Sequence, residues 1–186
     1  MTTYPEVRVE VIAVTRHVDL VREGVDVGLR AGSLTGSGLI SKRLVGSTVK
    51  AVASPSYLRA RGKPENATEL AAHDCLVSFA RGEVPVRAWP LHNGGTVALT
   101  PRLASNDVSL LAQAAVDGLG IALLPTNFMG TAIQEGRLVP ILEDELGFPT
   151  GIWLVYPEKR LMLPRVRTFI DMLIDWAKTL DVSTMI

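Results

Sequence analysis

Short apolar runs alternate with segments of helical periodicity along this chain, and this alternation constrains the fold more than any other feature. Residues 25–29 form a run that is apolar apart from Asp26, as the strands of a buried sheet require. The clearest helix carries apolar residues at offsets of three and four from Val166 to Leu180, which gives it one apolar face. Alternation of this kind predicts an α/β protein with a mixed sheet.

The same patterns predict the individual elements. Strands are expected at residues 7–14, 25–29, 39–45, 49–53, 76–79, 88–91, 96–99, 121–124, 138–142 and 152–156. Helices are expected at residues 19–23, 54–62, 66–72, 107–116, 127–135 and 164–180. The second of these helices has a serine before a proline, the preferred order of an N-cap and a first helical residue.

Charge and cysteine content exclude several classes of protein. Nineteen basic residues balance nineteen acidic ones, so the chain lacks the clustered positive charge of a nucleic-acid binder. Cys75 is the only cysteine, which rules out an internal disulfide and fits a reducing compartment. The first residues do not resemble a secretory signal, and the apolar runs are too short to span a bilayer. These features predict a cytoplasmic protein without a membrane partner.

No pattern indicates catalysis. The three histidines lack metal-ligand spacing, and no Gly-x-Ser-x-Gly motif supplies a nucleophile. The Gly118-Leu119-Gly120 sequence lacks the third glycine of a dinucleotide fingerprint and runs from helix to strand rather than from strand to helix. We interpret Gly118 as the end of a helix and Gly120 as a residue that permits a tight turn. No catalytic residue, metal or cofactor is expected.

Small-molecule binding is the better hypothesis, because ligands of α/β proteins gather where strands end and helices begin. The residues at such positions, which we predict to bind a ligand, are Arg30, Gly32, Ser33, Ser54, Phe79, Ser105, Asn106, Asp107 and Val108.

Each of these residues also has an ordinary structural role open to it. The Arg30 guanidinium suits a carboxylate, but it also suits a salt bridge. The start of the helix at Asp107 favours an anion through its free N–H groups, and the same atoms serve capping. Ser54 is first an N-cap, Gly32 and Ser33 fit an ordinary turn, and Phe79 fits either an apolar wall or the core.

Six short motifs occur in an order that points to one family. They are Val25-Asp26-Val27-Gly28-Leu29-Arg30-Ala31-Gly32, Ser54-Pro55-Ser56-Tyr57-Leu58, Asn106-Asp107, Gly118-Leu119-Gly120-Ile121-Ala122-Leu123-Leu124-Pro125, Gly136-Arg137-Leu138-Val139 and Pro164-Arg165-Val166-Arg167-Thr168-Phe169-Ile170-Asp171. No motif is specific alone, but together they resemble the effector-binding domain of LysR-type transcriptional regulators from about Tyr4 to about Leu180.

The resemblance implies a two-lobed fold of the type 2 periplasmic-binding-protein kind with mixed sheets. The first lobe would hold residues 1–53 and 157–186, and the second would hold residues 54–156. We expect strands 76–99 to lie in a different sheet from strand 25–29. The effector would bind between the lobes, next to the residues named above. The resemblance also implies that the winged helix-turn-helix and the first strand-helix unit of the effector domain are absent, so the first-lobe wall of the pocket would be incomplete.

The function implied is that of a non-enzymatic sensor of a small, anionic metabolite. We expect the chain to self-associate or to pair with an intact paralogue, since strand 7–14 would lack a neighbour. We expect it to reach DNA only through a winged helix-turn-helix supplied elsewhere. Two alternatives stay open. A transporter's solute-binding protein would need a signal or lipid anchor, and a bilobal enzyme would need a convergent catalytic set.

Overall fold

The computed structural model describes residues 4–14, 16, 18–32, 38–80, 84–158 and 162–180. These residues form eleven strands, three α-helices and two 3₁₀ helices. The strands are β1 (Gly28–Ala31), β2 (Leu39–Ala53), β3 (Cys75–Val77), β4 (Phe79–Ala80), β5 (Val84–Pro85), β6 (Ala88–Pro90), β7 (Thr96–Ala98), β8 (Pro101–Ala104), β9 (Ile121–Pro125), β10 (Val139–Pro140) and β11 (Phe148–Pro157). The α-helices are α1 (Pro55–Arg61), α2 (Val108–Val116) and α3 (Pro164–Thr179), and the 3₁₀ helices are Ala67–Ala72 and Thr126–Phe128.

Seven strands share one mixed sheet in the order β1-β11-β2-β9-β3-β8, with β10 also paired to β2. Strand β3 runs parallel to both β8 and β9, whereas β2 is antiparallel to β9 and β1 is antiparallel to β11. Two small hairpins, β4 with β5 and β6 with β7, lie outside this sheet. The α/β class with mixed sheets is therefore confirmed.

The expectation of separate sheets is wrong for the strand predicted at 76–79, because one long strand replaces the two predicted at residues 39–45 and 49–53. It is confirmed for the strands predicted at 88–91 and 96–99, which form the hairpin of β6 with β7. Strand β2 is 15 residues long and continues through Gly46-Ser47-Thr48, where a break was predicted. Its buried residues alternate through that stretch, with Val45, Ser47 and Val49 facing the interior. Because the alternation never breaks, β2 and its neighbour β11 join β1 to β3 by one hydrogen-bonded path.

Contacts divide the chain into two compact units. Unit 1 comprises the described residues of 4–45 and 151–180, and unit 2 comprises the described residues of 46–150. The predicted lobe boundaries, after Ala53 and after Tyr156, fall eight and six residues beyond these divisions. The assignment of the units to the family's two lobes stays a prediction.

Unit 1 is built around the apolar face of α3. Ile170 from that helix packs with Leu154 and Tyr156 of β11, and the half-buried side chains of Val166 and Leu173 pack against them. The periodic apolar face predicted for the last helix is confirmed in this way, since these residues lie three or four positions apart.

Unit 2 has an apolar cluster on each face of its sheet, and strand β3 shows why. Cys75 and Val77 belong to the first cluster, while Leu76 between them belongs to the second. Successive side chains of a strand point to opposite faces, so a strand buried on both sides is apolar at every position. Helix α2 covers the second face with Leu111 and Ala115, both fully buried.

The capping and helix-ending residues in the sequence predicted the positions of α1 and α2 correctly. Ser54 Oγ accepts a hydrogen bond from the Tyr57 N–H at 3.2 Å, and Gly62, at φ +84°, ends α1. Gly118 follows the end of α2, as predicted, and its φ of +83° lies in the left-handed region common after helix ends.

Other elements differ from the predictions. Residues 7–14 form no strand, because no described strand pairs with them. Residues 19–23 form a turn closed by a hydrogen bond from the Glu23 N–H to the Asp19 carbonyl at 2.9 Å. The helix predicted at 127–135 is the short 3₁₀ helix Thr126–Phe128 followed by turns. Strand β8 was missed because it begins with a proline, which edge strands tolerate at their first residue.

Candidate functional site

The candidate site lies at one edge of the sheet in unit 2, where its parallel strands end. Strands β3, β8 and β9 run in the same direction, so Val77, Ala104 and Pro125 close them on one side. The Ser105 N–H donates to the Val77 carbonyl at 3.0 Å, which joins the first two of these strand ends. We call this side the carboxyl edge. Convergent loops and a helix start make such an edge the usual ligand site of an α/β domain.

The turn from β8 into α2 supplies part of the edge. Asp107 is the N-cap, and its Oδ1 accepts hydrogen bonds from the Ser109 and Leu110 N–H groups at 2.9 and 3.2 Å. Ser105 Oγ in turn accepts from the Asp107 N–H at 3.0 Å. The capping interpretation therefore holds for Asp107. Its carboxylate already occupies the positive end of α2, so an anion there would meet a negative charge.

A second polar group at this edge was not predicted. Ser47 Oγ donates to Asn127 Oδ1 at 2.8 Å and lies 3.2 Å from Thr126 Oγ1. Since Ser47 has a single hydroxyl proton, the Thr126 hydroxyl donates to Ser47. Thr126 and Asn127 directly follow β9, so polar residues after a buried strand were the signal available in the sequence. Ser47 carried no such signal, because it lies inside β2.

These two groups stand about two strand spacings apart. Strand β3 separates β9 from β8, and neighbouring strands lie about 4.8 Å apart, so β8 and β9 lie roughly 10 Å apart across the sheet. Phe79 follows β3 between them with about a third of its side chain exposed, and Asn106 is exposed. The Asn106 side chain makes no hydrogen bond to any described residue. Val108, the first residue of α2, is half-buried.

The structure separates Ser54 from the other predicted residues of unit 2. Strand β2 is antiparallel to β9, so its last residue, Ala53, lies where β9 begins rather than where it ends. Ser54 is 2% exposed and caps α1, and its Oγ lies beside Gly118, close to the end of α2. The serine therefore belongs to the amino edge of the sheet.

Arg30 and Gly32 lie in unit 1. Arg30 is in β1, and its Nη2 donates to the Val18 carbonyl at 2.8 Å. Gly32 follows the strand with φ +97°, and its N–H donates to the Gly151 carbonyl at 3.0 Å. These contacts give both residues a structural role. Ser33 lies outside the described residues.

A shallow depression elsewhere in unit 2 measures about 210 Å³ and includes none of the predicted site residues. Lys50 and Glu143 on its wall form a salt bridge at 3.2 Å. His92 closes one side, with Nδ1 3.0 Å from the Asp144 carbonyl and Nε2 2.8 Å from the Gly147 carbonyl. The depression is smaller than the roughly 300 Å³ at which typical ligand pockets begin, and its charges neutralise one another.

A buried polar cluster lies at the amino edge. The Tyr57 hydroxyl accepts the Asp74 N–H at 2.9 Å and shares a hydrogen bond of 3.1 Å with His73 Nδ1. Arg61 and Arg102 approach the Asp74 carboxylate at 3.7 and 3.5 Å. Burial, followed by the Arg61 charge, lowers the pKa of His73. Protonation of His73 would therefore place a positive charge in a buried site next to the Arg61 guanidinium, which costs stability.

We predict that His73 makes the protein acid-sensitive. Its folded pKa lies below the unfolded value of about 6.5, so its stabilising effect is complete above that pH and is lost as the pH falls toward the folded pKa. Denaturant unfolding between pH 7.5 and 5 should show a loss of stability that is smaller in His73→Gln. Tyr57→Phe keeps the imidazole and should retain the acid dependence. Equal losses in the wild type and His73→Gln would contradict the assignment.

Known proteins identify the family. The family model described as "LysR substrate binding domain" matches residues 1–178. The chain belongs to this family. It is 32% identical over 174 residues to the HTH-type transcriptional regulator CrgA of Neisseria meningitidis, covering 92% of this chain and 58% of that protein. It is 32% identical over 173 residues to the regulator DmlR of Escherichia coli, covering 91% and 56%. The solved CrgA regulatory domain superposes with a TM-score of 0.77 at 30% identity, covering 95% of this chain and 87% of that one.

Membership settles the broad class of the chain. It is a ligand-sensing regulatory domain with the two-lobed type 2 periplasmic-binding-protein fold, and its relatives are transcriptional regulators rather than enzymes. The enzyme alternative and the transporter alternative are thereby set aside. The chain spans less than three fifths of the curated relatives described above. Within the part of the chain that the structure describes, no helix is long and apolar enough to cross a membrane.

Proposed function

We propose that the chain senses a small metabolite that binds at the carboxyl edge of unit 2. The observation that carries this proposal is the convergence of hydroxyl and amide side chains at the ends of parallel strands. Ser105 and Asn106 stand on one side, and Thr126 and Asn127 stand on the other. A separation of two strand spacings, roughly 10 Å across the sheet, suits a molecule of metabolite size.

The groups on this edge favour a ligand with several oxygen atoms. Asn106 and Asn127 supply uncharged donors and acceptors, and Phe79 supplies an apolar surface beside them. Thr126 is buried, and through Ser47 it helps to hold the Asn127 side chain in place. Asp107 places a carboxylate at the start of α2, which favours ligand hydroxyl groups near it. The binding of an acidic group by Arg30, which lies in unit 1, stays a separate prediction. The cytoplasmic location, the regulatory coupling to DNA-binding domains and the pairing with a paralogue also stay proposals.

The test is a thermal-shift screen of hydroxy acids, each paired with its amide, followed by calorimetric titration of the hits. Asn106→Ala and Thr126→Val should each weaken binding about 5- to 10-fold, the effect of losing one hydrogen bond. If the ligand is anionic, the amide of each acid should bind at least 10-fold more weakly. Equal binding of acid and amide would remove the anionic class but leave the site itself standing.

Two variants control for effects on folding. Ser109→Ala changes an exposed residue of α2 and should alter neither stability nor binding. Ser54→Ala removes the N-cap of α1 and should lower stability by about 1 kcal/mol without changing ligand affinity. A ligand whose affinity responds to Ser54→Ala but not to Asn106→Ala and Thr126→Val would refute the placement at the carboxyl edge.

A further inference from the structure

Ser47 is a polar residue at an inward-facing position of β2, where the other inward-facing residues nearby are apolar. It is buried, as is Val49 two residues later on the same face of the strand. A buried hydroxyl costs free energy unless its hydrogen bonds are made, whereas a valine at this position would carry no such cost and favours strands. The serine therefore calls for a specific hydrogen-bond partner.

The register of the sheet brings Ser47 to Asn127. Strand β2 is antiparallel to β9, with Val49 opposite Pro125. Two residues beyond this pair, the same register places Ser47 opposite Asn127. The Ser47 hydroxyl donates to Asn127 Oδ1 at 2.8 Å, and the Thr126 hydroxyl lies 3.2 Å from Ser47 Oγ. The position of this hydrogen bond is thus set by the register of two sheet strands.

The hydrogen bond determines which end of the Asn127 amide faces outward. The amide oxygen only accepts hydrogen bonds and the NH₂ group only donates them. Oδ1 turns toward Ser47, while Nδ2 makes no hydrogen bond to any residue that the structure describes. Among those residues, no buried side-chain nitrogen or oxygen atom lacks a partner, so Nδ2 is not buried. Its two N–H groups are open to a molecule at the carboxyl edge.

We infer that Ser47 is a positioning residue that makes Asn127 select a ligand with an acceptor oxygen. The inference rests on the proposed function, because it names a group of the ligand bound at that same edge. The outward NH₂ group donates to a keto or carboxylate oxygen, and it repels an ammonium group, which also only donates. Ser47 acts through Asn127, and Thr126 supports it by donating to the serine hydroxyl.

The orientation of the amide can be measured by NMR without any ligand. Two other asparagines provide the scale, since Asn106 is exposed, whereas Asn66 Nδ2 donates to Glu69 Oε1 at 3.0 Å. The side-chain N–H protons of Asn127 should exchange with water at a rate comparable to those of Asn106. Ser47→Ala should shift the carbonyl carbon resonance of the Asn127 side chain and leave the exchange rate unchanged. An exchange rate as slow as that of Asn66, which Ser47→Ala accelerates, would show the opposite orientation and overturn the inference.

Matched pairs of 2-oxo acids and 2-amino acids test the selectivity. Pyruvate with alanine, and 2-oxoglutarate with glutamate, exchange an acceptor for a donor on the same carbon skeleton. The wild type should bind the oxo acid of a pair at least about 10-fold more tightly, the effect of exchanging a hydrogen bond for two opposed donors. Ser47→Ala should reduce this ratio to about 3-fold or less, because the freed amide can turn its oxygen toward the ammonium group. Ser47→Thr keeps the hydroxyl and should keep the ratio.

Asn127→Asp is the most direct variant, because it still accepts the Ser47 hydroxyl but replaces the NH₂ group by a carboxylate oxygen. It should reverse the preference in favour of the amino acid. A wild-type preference for the amino acid, or a ratio that neither Asn127→Asp nor Ser47→Ala changes, would overturn the inference and leave the site itself standing. Absence of binding by every acid of this panel and of the hydroxy-acid screen would instead refute the proposed function together with the ligand class.

Discussion

Gly120→Ala is expected to destabilise the protein by about 3 kcal/mol or more, one of the largest effects of any single methyl group in this chain. A Cβ at position 120 would lie 2.3 Å from the Asp74 carbonyl oxygen and 3.0 Å from its carbon. That carbonyl cannot easily move, because it accepts the Ile121 N–H at 2.9 Å next to the pairing of β3 with β9. Chemical denaturation should show a lower midpoint with an unchanged slope.

Gly130→Ala is the matched control. Gly130 has φ +54°, and a Cβ there would meet nothing within 4 Å. This variant therefore measures the cost of a left-handed backbone conformation alone, about 1 kcal/mol. Gly120 is not in the left-handed region, so its variant measures the steric contact alone. If the two variants cost the same, the close approach between residues 74 and 120 is not rigid.

The role of Gly120 shows what the sequence analysis could establish and what it could not. A helix ending at Gly118 and a strand starting at Ile121 predicted a tight connection, which is correct. The reason that only glycine fits is the Asp74 carbonyl, 46 residues earlier in the chain. Local signals depend on neighbouring residues, and they were correct for the cap at Ser54 and for the apolar face of α3. Close approaches depend on distant residues that no local pattern names.

The candidate site shows the same difference between local features, which the sequence predicts, and contacts between distant residues, which it does not. The turn at Ser105 and Asp107 was found because a cap and a helix start are local features. Ser47 and Thr126 were missed, since they are 79 residues apart and meet only because β2 is antiparallel to β9. Strand direction also explains why Ser54, which was predicted to lie near the other site residues, lies at the opposite edge of the sheet. Periodicity indicates that a strand exists but not which way it runs beside its neighbours, so it could not show that β2 ends at the amino edge.

Leu111→Ala should also have a large effect and lower the free energy of unfolding by about 2–5 kcal/mol. Leu111 is fully buried in the cluster that joins α2 to the sheet, where it packs among residues such as Leu76 and Leu124. Removing its isobutyl group takes away apolar burial and leaves a cavity between helix and sheet, and the sheet is held by two parallel ladders and cannot collapse freely. Urea unfolding followed by circular dichroism measures the loss directly.

The neighbouring residue provides the control for this effect. Leu110 is 47% exposed, so Leu110→Ala should change stability by less than about 1 kcal/mol although it deletes the same atoms from the same helix. The pair also tests whether α2 positions the proposed ligand site. If it does, Leu111→Ala should weaken ligand binding at a temperature where the protein remains folded, because Ser105, Asn106 and Asp107 are held by the start of that helix. Leu110→Ala should bind as the wild type does. Equal stability of the two variants would show that α2 does not anchor this face of the sheet.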